Sequence, residues 1–298
     1  MKQKDFPAHH VTFLKVHKAA STSVQNIFYR YGYRYNLTFA QPKLGSGLGP
    51  TTLVTPDKFY PPPPGQTRFD IMSVHSSYNR TIFEKLVWND SIYIAIVRQP
   101  FQQFASSIVY FNKKEVLSIP GTNPVRTLLS EKLYKSRLML PSYRYVNGQS
   151  RDFGYPVKLL MSKYDKNKFQ NFLQQLNTEL DLVMLVERFD ESMILLRRLL
   201  KWEMKDVISG KLNSRDVPSR FQFGATEENL YKEISKYDYA LYDFFKKKFQ
   251  AKIDQQPTDF HDELIYFIQT KEKYNKFCLS MKSLQYKVFR VLSFEESP

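Results

Sequence analysis

The chain predicts a three-layer α/β sandwich around a mainly parallel sheet, finished by C-terminal helices. Three observations carry that prediction. Short apolar runs alternate with helical patterns. Two of the runs, 91–97 and 181–186, are unbroken, as expected of strands buried on both faces. Clusters of Gly and Pro separate the units. Strand–helix alternation with right-handed crossovers gathers the loops that follow the strands at one sheet edge, where open α/β sheets bind ligands.

Residues 1–10 form a polar lead-in, and His9-His10 reads as an exposed end and not as a metal site. Val11-Thr-Phe-Leu-Lys-Val-His-Lys-Ala-Ala-Ser-Thr-Ser23 reads as a strand running into a small-residue turn. The turn opens an amphipathic helix through Val24, Ile27, Phe28 and Tyr31. From Asn36 to Arg68 turn-formers dominate, among them Gly45 to Pro50 and the four prolines 61–64, which favour a stiff polyproline connector. Phe69 to Val74 is the next strand, 80–87 a short helix, and Ser91 to Val97 a buried strand. Pro100 then stands at a favourable first-turn position of a helix with Phe101, Phe104, Ile108 and Phe111 on one side.

Residues 113–165 are broken by Gly and Pro into short pieces rich in aromatics. Two readings stand for Tyr143, Tyr145, Phe153 and Tyr155: a wall that stacks on sugar rings, or ordinary packing. After the strand at 181–186, Asp190 is expected to cap a helix. A long helix follows Thr226 with Lys246 to Lys248 near its end, and a last one spans about 260–277. The expected organisation is one domain over 1–298: an α/β core at 11–215 with a variable segment at 113–165, then C-terminal helices at 216–298.

The 42% hydrophobic and 15% aromatic content of the 298 residues excludes a disordered chain. The net charge of +15 and a pI near 9.6 favour anionic partners. The lysines are spread along the chain, so a nucleic-acid role rests on charge alone and none is expected. Cys278 is the only cysteine, which excludes an intrachain disulfide. Scattered histidines give no zinc spacing, and no G-x-S-x-G elbow marks a Ser–His–Asp hydrolase. No run approaches the ~20 apolar residues of a membrane span, and no N-terminal signal pattern is present. Asn36, Asn79 and Asn89 each begin an N-x-[ST] sequon.

Two motifs point to an anion at the sheet edge. In the first, Lys18 and the hydroxyls of Ser21, Thr22 and Ser23 share a strand–turn–helix whose N–H groups and positive helix end converge. It lacks the G-x-x-x-x-G-K-[ST] spacing of an ATP or GTP loop. It resembles the 5′-phosphosulfate loop of sulfotransferases, which use 3′-phosphoadenosine 5′-phosphosulfate (PAPS). In the second, Arg98 ends a buried strand and Ser106 lies eight residues on, two turns into a helix. That pair resembles the 3′-phosphate motif of the same enzymes, where arginine's planar fork grips phosphate.

Phe69-Asp-Ile-Met-Ser-Val-His75, Trp88 to Arg98 and Asp181 to Ser192, continuing to Trp202 and on through Lys211 to Arg215, resemble the galactose-3-O-sulfotransferase family. The similarity runs from about Val11 to Cys278 and is weakest at 112–168. It implies a P-loop-like sulfotransferase fold, PAPS as co-substrate with no metal required, and a galactose 3-OH in a glycolipid or glycoprotein glycan as acceptor. It also implies a type II Golgi membrane protein whose anchor lies outside this chain and whose catalytic domain faces the lumen. The phosphate loop also resembles uronyl 2-O-sulfotransferases, and a non-catalytic relative that binds PAP or a sulfated glycan is the rival from another class. The near-absence of cysteines departs from the family, whose Cys-Trp pair is here Lys201-Trp202.

On this resemblance Lys18 stabilises the bridging oxygen of PAPS. The N–H groups of residues 19–23, Ala19 and Ala20 included, cradle the 5′-phosphate with the hydroxyls of Ser21, Thr22 and Ser23. Arg98 and Ser106 hold the 3′-phosphate. His75 is the expected general base, since imidazole accepts a proton at neutral pH, and His17 is the second candidate, orienting Lys18 or the acceptor. Lys15 either faces the cofactor or snorkels to solvent. Trp88, Trp202, Asp190 and Glu187 read as structural, Lys211 and Arg215 as solvated charge, and His261 as without a catalytic role.

Overall fold

The computed structural model describes residues 6–43, 55–133, 145–210 and 217–284, with side chains through Phe277. Tyr143, Lys211, Arg215, the Gly45–Pro50 cluster and the Cys278 side chain lie outside the described residues. Four strands make one parallel sheet: β1 (Val11–Leu14), β2 (Ile71–Met72), β3 (Ile92–Val97) and β4 (Leu182–Leu185), in the order β2-β1-β3-β4. Val11 pairs with both Ile71 and Ile92, Leu14 with Ala95, and Val97 with Leu185, so the strands end at one common edge.

Between β1 and β4 lie α1 (Ser21–Arg34), α2 (Arg80–Leu86), α3 (Pro100–Phe111), α4 (Lys113–Leu117), α5 (Pro124–Ser130), α6 (Gly148–Asp152), α7 (Val157–Leu160) and α8 (Lys166–Glu179). After β4 come α9 (Phe189–Leu200), α10 (Met204–Val207), α11 (Ala225–Ile234), α12 (Lys236–Asp254) and α13 (Asp259–Leu284). α1, α9, α10 and α13 pack together on one side of the sheet, and α3, α6, α8 and α12 on the other. β1, β3 and β4 are covered on both faces, which is why their sequences are continuous apolar runs.

The main core is built on the sheet, and a second apolar cluster joins α3, α4, α5 and α11 around Phe101, Phe104, Leu128 and Tyr231. Burying each Leu or Phe side chain contributes about 1.5–3 kcal/mol. Trp202 is a packing residue: it stacks on Tyr31 at 3.5 Å and donates Nε1–H to the Ala8 carbonyl. Trp88 donates its indole N–H to Asp70.

The structure corrects several expectations. The strand expected over 69–74 shrinks to two residues, because residues 38–40 bond both main-chain groups of Ile71 and Phe69 bridges to Val87 instead. The helix expected after Thr226 is interrupted at Ser235. There Asn147 accepts from the N–H groups of Tyr237 and Asp238 and starts α12 afresh, and α12 runs on to Asp254, past Lys246–Lys248. Asp190 does not cap α9; Arg188 occupies the cap, and Asp190 pairs with Lys271 of α13. Tyr145, Phe153 and Tyr155 are buried core residues, which settles them as packing and not as a sugar wall. The described parts of 113–165 are largely a set of short helices.

Candidate functional site

The loop between β1 and α1 is held in an unusual backbone shape. Lys18 and Ala20 have φ of 58° and 52°, in the left-handed region, and Ala20 is the N-cap of α1 with no side-chain bond. Left-handed residues alternating with others turn successive N–H groups toward one concavity, an anion-binding nest. Glycine usually supplies such angles; a non-glycine residue there costs about 1–2 kcal/mol. Tertiary bonds hold it. Ser21 Oγ–H donates to the Val16 carbonyl at 2.7 Å, the His17 N–H to Asp152 at 2.8 Å, and Gln103 Nε2–H to the His17 carbonyl at 3.0 Å. The Ser21 proton is therefore given to the loop itself. Ser23's N–H donates to the Ala20 carbonyl at 3.1 Å, so it is engaged within the turn. Thr22 is exposed and Ser23 half-buried.

Arg98 follows β3 directly, and its Nη1 donates to the Lys18 carbonyl at 3.2 Å. The two phosphate-directed motifs therefore touch. Its main chain is gripped by Gln149: the Arg98 N–H donates to Oε1 at 2.9 Å, and Nε2–H donates to the Arg98 carbonyl at 2.7 Å. Burial lowers the Arg98 pKa, and Glu187 opposes that shift. Ser106 is half-buried on α3, one turn before Tyr110. The Lys18 ammonium lies 3.6 Å from the centre of the Tyr110 ring, so the lysine side chain reaches the helix that carries Ser106.

His17 and His75 stack with ring centroids 4.0 Å apart. His75 Nδ1 lies 2.8 Å from the Lys15 carbonyl, which can only accept, so Nδ1 carries the proton and Nε2 the lone pair. Burial, aided by His17 and Lys15 nearby, pushes the His75 pKa down to about 3. His17 Nδ1 lies 2.8 Å from Asp152, which also accepts its backbone N–H. Burial works to raise the Asp152 pKa, but Arg151 and His17 outweigh it and hold the carboxyl well below the usual carboxylate range. Lys15 does not snorkel. It is 6% exposed and bonds Gln25 Oε1 at 2.7 Å, and burial brings its pKa down to about 8.

A cleft of about 680 Å³ opens beside the loop between Ala20 and Ser23 on one wall and Val186 to Glu191 on another. α13 closes it with Leu264, Ile268, Lys271 and Asn275. Glu187, past the end of β4, accepts from the Gln99 N–H and the Tyr242 hydroxyl. His261 is exposed on α13. Among the described residues no group of three His, Cys, Asp or Glu side chains is placed to hold a metal ion.

The structure thus brings Lys18 to Ser23, Arg98, Ser106, His17 and His75 to the carboxyl edge of the sheet. Sequence reasoning missed Asp152, Gln149, Gln103, Gln25 and Tyr110. Tyr110 carried a signal, one helical turn past Ser106. The others sit in no motif.

Known proteins show the same relationship over nearly the whole chain. The family model described as galactose-3-O-sulfotransferase matches residues 2–288. Galactose-3-O-sulfotransferase 2 of Mus musculus is 28% identical over 93% of this chain and 72% of its own length. Galactose-3-O-sulfotransferase 3 of the same species is 31% identical over 82% and 57%, and its galactosylceramide sulfotransferase 28% over 83% and 58%. The chain spans under two thirds of the length of most of the curated relatives it matches, Galactose-3-O-sulfotransferase 2 of Homo sapiens among them at 62%. With both phosphate-directed motifs meeting at one sheet edge and a family match that runs almost end to end, the chain belongs to the galactose-3-O-sulfotransferase family.

Proposed function

We propose that this protein transfers the sulfuryl group of PAPS to a sugar hydroxyl, with the 3-OH of a galactose in a glycolipid or glycoprotein glycan as the acceptor. The observation that supports the reading is the contact between Arg98 and the Lys18 carbonyl, which brings two motifs 80 residues apart together. In this reading the left-handed loop and the first turn of α1 bind the 5′-phosphosulfate, and Arg98 with Ser106 binds the 3′-phosphate. The cleft under α13 takes the rest of the nucleotide.

The reaction is an in-line displacement. The acceptor oxygen forms a bond to sulfur as the bond from sulfur to the bridging oxygen breaks, and that electron pair leaves on PAP. Lys18 offsets the charge that develops there. The proton of the acceptor hydroxyl goes to an imidazole. We assign it to His17, because the Asp152 carboxylate against Nδ1 stabilises the positive charge the ring acquires when Nε2 takes a proton. His75, expected as the base, is kept neutral by burial, and its Nε2 lone pair suits it to accept from a second hydroxyl of the acceptor sugar, which leaves the proton of the attacking hydroxyl to His17. Holding the acceptor oxygen in line with the breaking bond adds to this electrostatic stabilisation.

A luminal location is part of the proposal. Asn36, Asn79 and Asn89 are all exposed, so each sequon is open to glycan attachment. No described helix is long and apolar enough to cross a membrane. The test of function is transfer of radiolabelled sulfate from PAPS to β-galactosides, with uronic-acid glycans as the comparison. Product on the galactoside 3-OH supports the reading; PAP binding without transfer to any acceptor refutes it in favour of a binding protein.

A further inference from the structure

α6 is five residues long and lies in the segment least like the family, yet it is bonded to the chain leaving each of three strands. After β1, Asp152 accepts both the backbone N–H and the ring Nδ1–H of His17, each at 2.8 Å. After β2, the Asp152 carbonyl accepts the Tyr78 N–H at 2.9 Å, three residues past His75. The next turn can lie there only because residue 154 is glycine. Its φ is 92°, in the left-handed half, and a Cβ would stand 2.2 Å from the Tyr78 carbonyl oxygen. After β3, Gln149 bonds both main-chain groups of Arg98, as a neighbouring strand would.

α6 is in turn anchored from α12. Asp238 accepts from the Ser150 N–H and hydroxyl at 2.7 Å each and from the Gln149 N–H at 3.1 Å. Gln149, Ser150, Arg151, Asp152 and Asp238 are all at most 2% exposed. So many charged and amide groups at full burial, bonded to main chain that carries site residues, exceed what packing five residues needs.

Taking the sulfuryl-transfer reading as its basis, we propose that α6 is the positioning element of the reaction centre: Gln149 sets where Arg98 lies, Asp152 sets where His17 lies, and Asp238 on α12 sets where α6 lies. None of the three touches the reacting atoms. All are positioning residues, and they place the control of both phosphate grip and proton transfer in a segment that resembles no motif.

The test is a double-mutant cycle on PAP affinity with the full chain. Gln149→Leu is expected to weaken PAP binding about tenfold, and to add nothing in an Arg98→Ala background, since the side chain it positions is gone. Unchanged affinity in the single variant, or the same tenfold loss on top of Arg98→Ala, overturns the proposal. Asp238→Asn covers the case in which Gln149→Leu does not fold. It should lower kcat about tenfold or more, raise the KM for PAPS, and shift the ring N–H resonance of His17. An unmoved resonance overturns the proposal. That resonance needs no nucleotide. If the wild type binds no PAP, the sulfotransferase reading fails, while the resonance still decides whether α6 places His17.

Discussion

The β1–α1 loop and α6 contribute to the proposed reaction centre in different ways. The loop is compact in sequence: eleven consecutive residues, Val11 to Ser21, contain a strand, a nest and a helix start, and most of the residues proposed to bind the 5′-phosphosulfate lie in or next to it. The side chains of α6 bond main chain that lies 51 to 135 residues away. A motif can be read where chemistry and geometry share a few neighbouring residues. Where one segment supplies geometry to another's chemistry, only the folded chain shows it.

Substitutions in the two regions should therefore fail differently. Lys18→Ala removes the cation proposed to face the leaving oxygen and has the largest expected effect, a loss of ~100-fold or more in kcat with a smaller change in apparent stability. Steady-state kinetics beside a thermal melt separate the two; retention of more than a tenth of wild-type kcat removes Lys18 from the mechanism. Next come the histidines. His17→Gln should cost ~100-fold in kcat and His75→Gln about tenfold, both with PAP affinity nearly intact. The reverse order returns the base to His75.

His75 also makes a stability prediction. Its folded pKa of about 3 lies below its ordinary 6.5, so the unfolded chain binds the extra proton and stability is lost as pH falls from 6.5 toward 3. Asp238 opposes this: burial raises its pKa to about 6, so the folded chain takes up a proton as pH falls toward 3.8 and gains stability over that window. Denaturant titrations at pH 7.5 and 5 should show His75→Gln to be less acid-sensitive than wild type by about 2 kcal/mol. Equal acid sensitivity contradicts the burial of a neutral imidazole.

The smallest effect concerns the nest. Ala20→Val puts a β-branched side chain at a left-handed position and should destabilise by about 1–2 kcal/mol, whereas Ala20→Gly should be close to neutral. A Val variant as stable as wild type removes the left-handed cap.

Much of the fold was readable because the deciding signals are local. The apolar runs at Ile92–Val97 and Leu182–Leu185 state their burial directly, and Pro100 marks the start of α3 where it was expected. The errors came where a distant residue decided. Asn147 breaks the helical pattern at Ser235, and Lys271 draws Asp190 away from a capping role. Of the candidate site residues, Lys18 and Arg98 stand in motifs, and the two histidines were picked out by the family resemblance. The left-handed angles at Lys18 and Ala20 were not readable, because no glycine marks them. Asp152 and Gln149 were unreadable for the same reason that α6 matters: their partners are far away in sequence.

Whether the Lys18 loop and Arg98 form a single nucleotide site is decided most directly by calorimetry. Wild type and Arg98→Ala would each be titrated with PAP and with AMP, which lacks the 3′-phosphate. A single site predicts that wild type prefers PAP by ~10- to 100-fold, and that Arg98→Ala abolishes the preference while AMP binds both alike. Equal affinity of wild type for PAP and AMP, or a preference that survives Arg98→Ala, would contradict it.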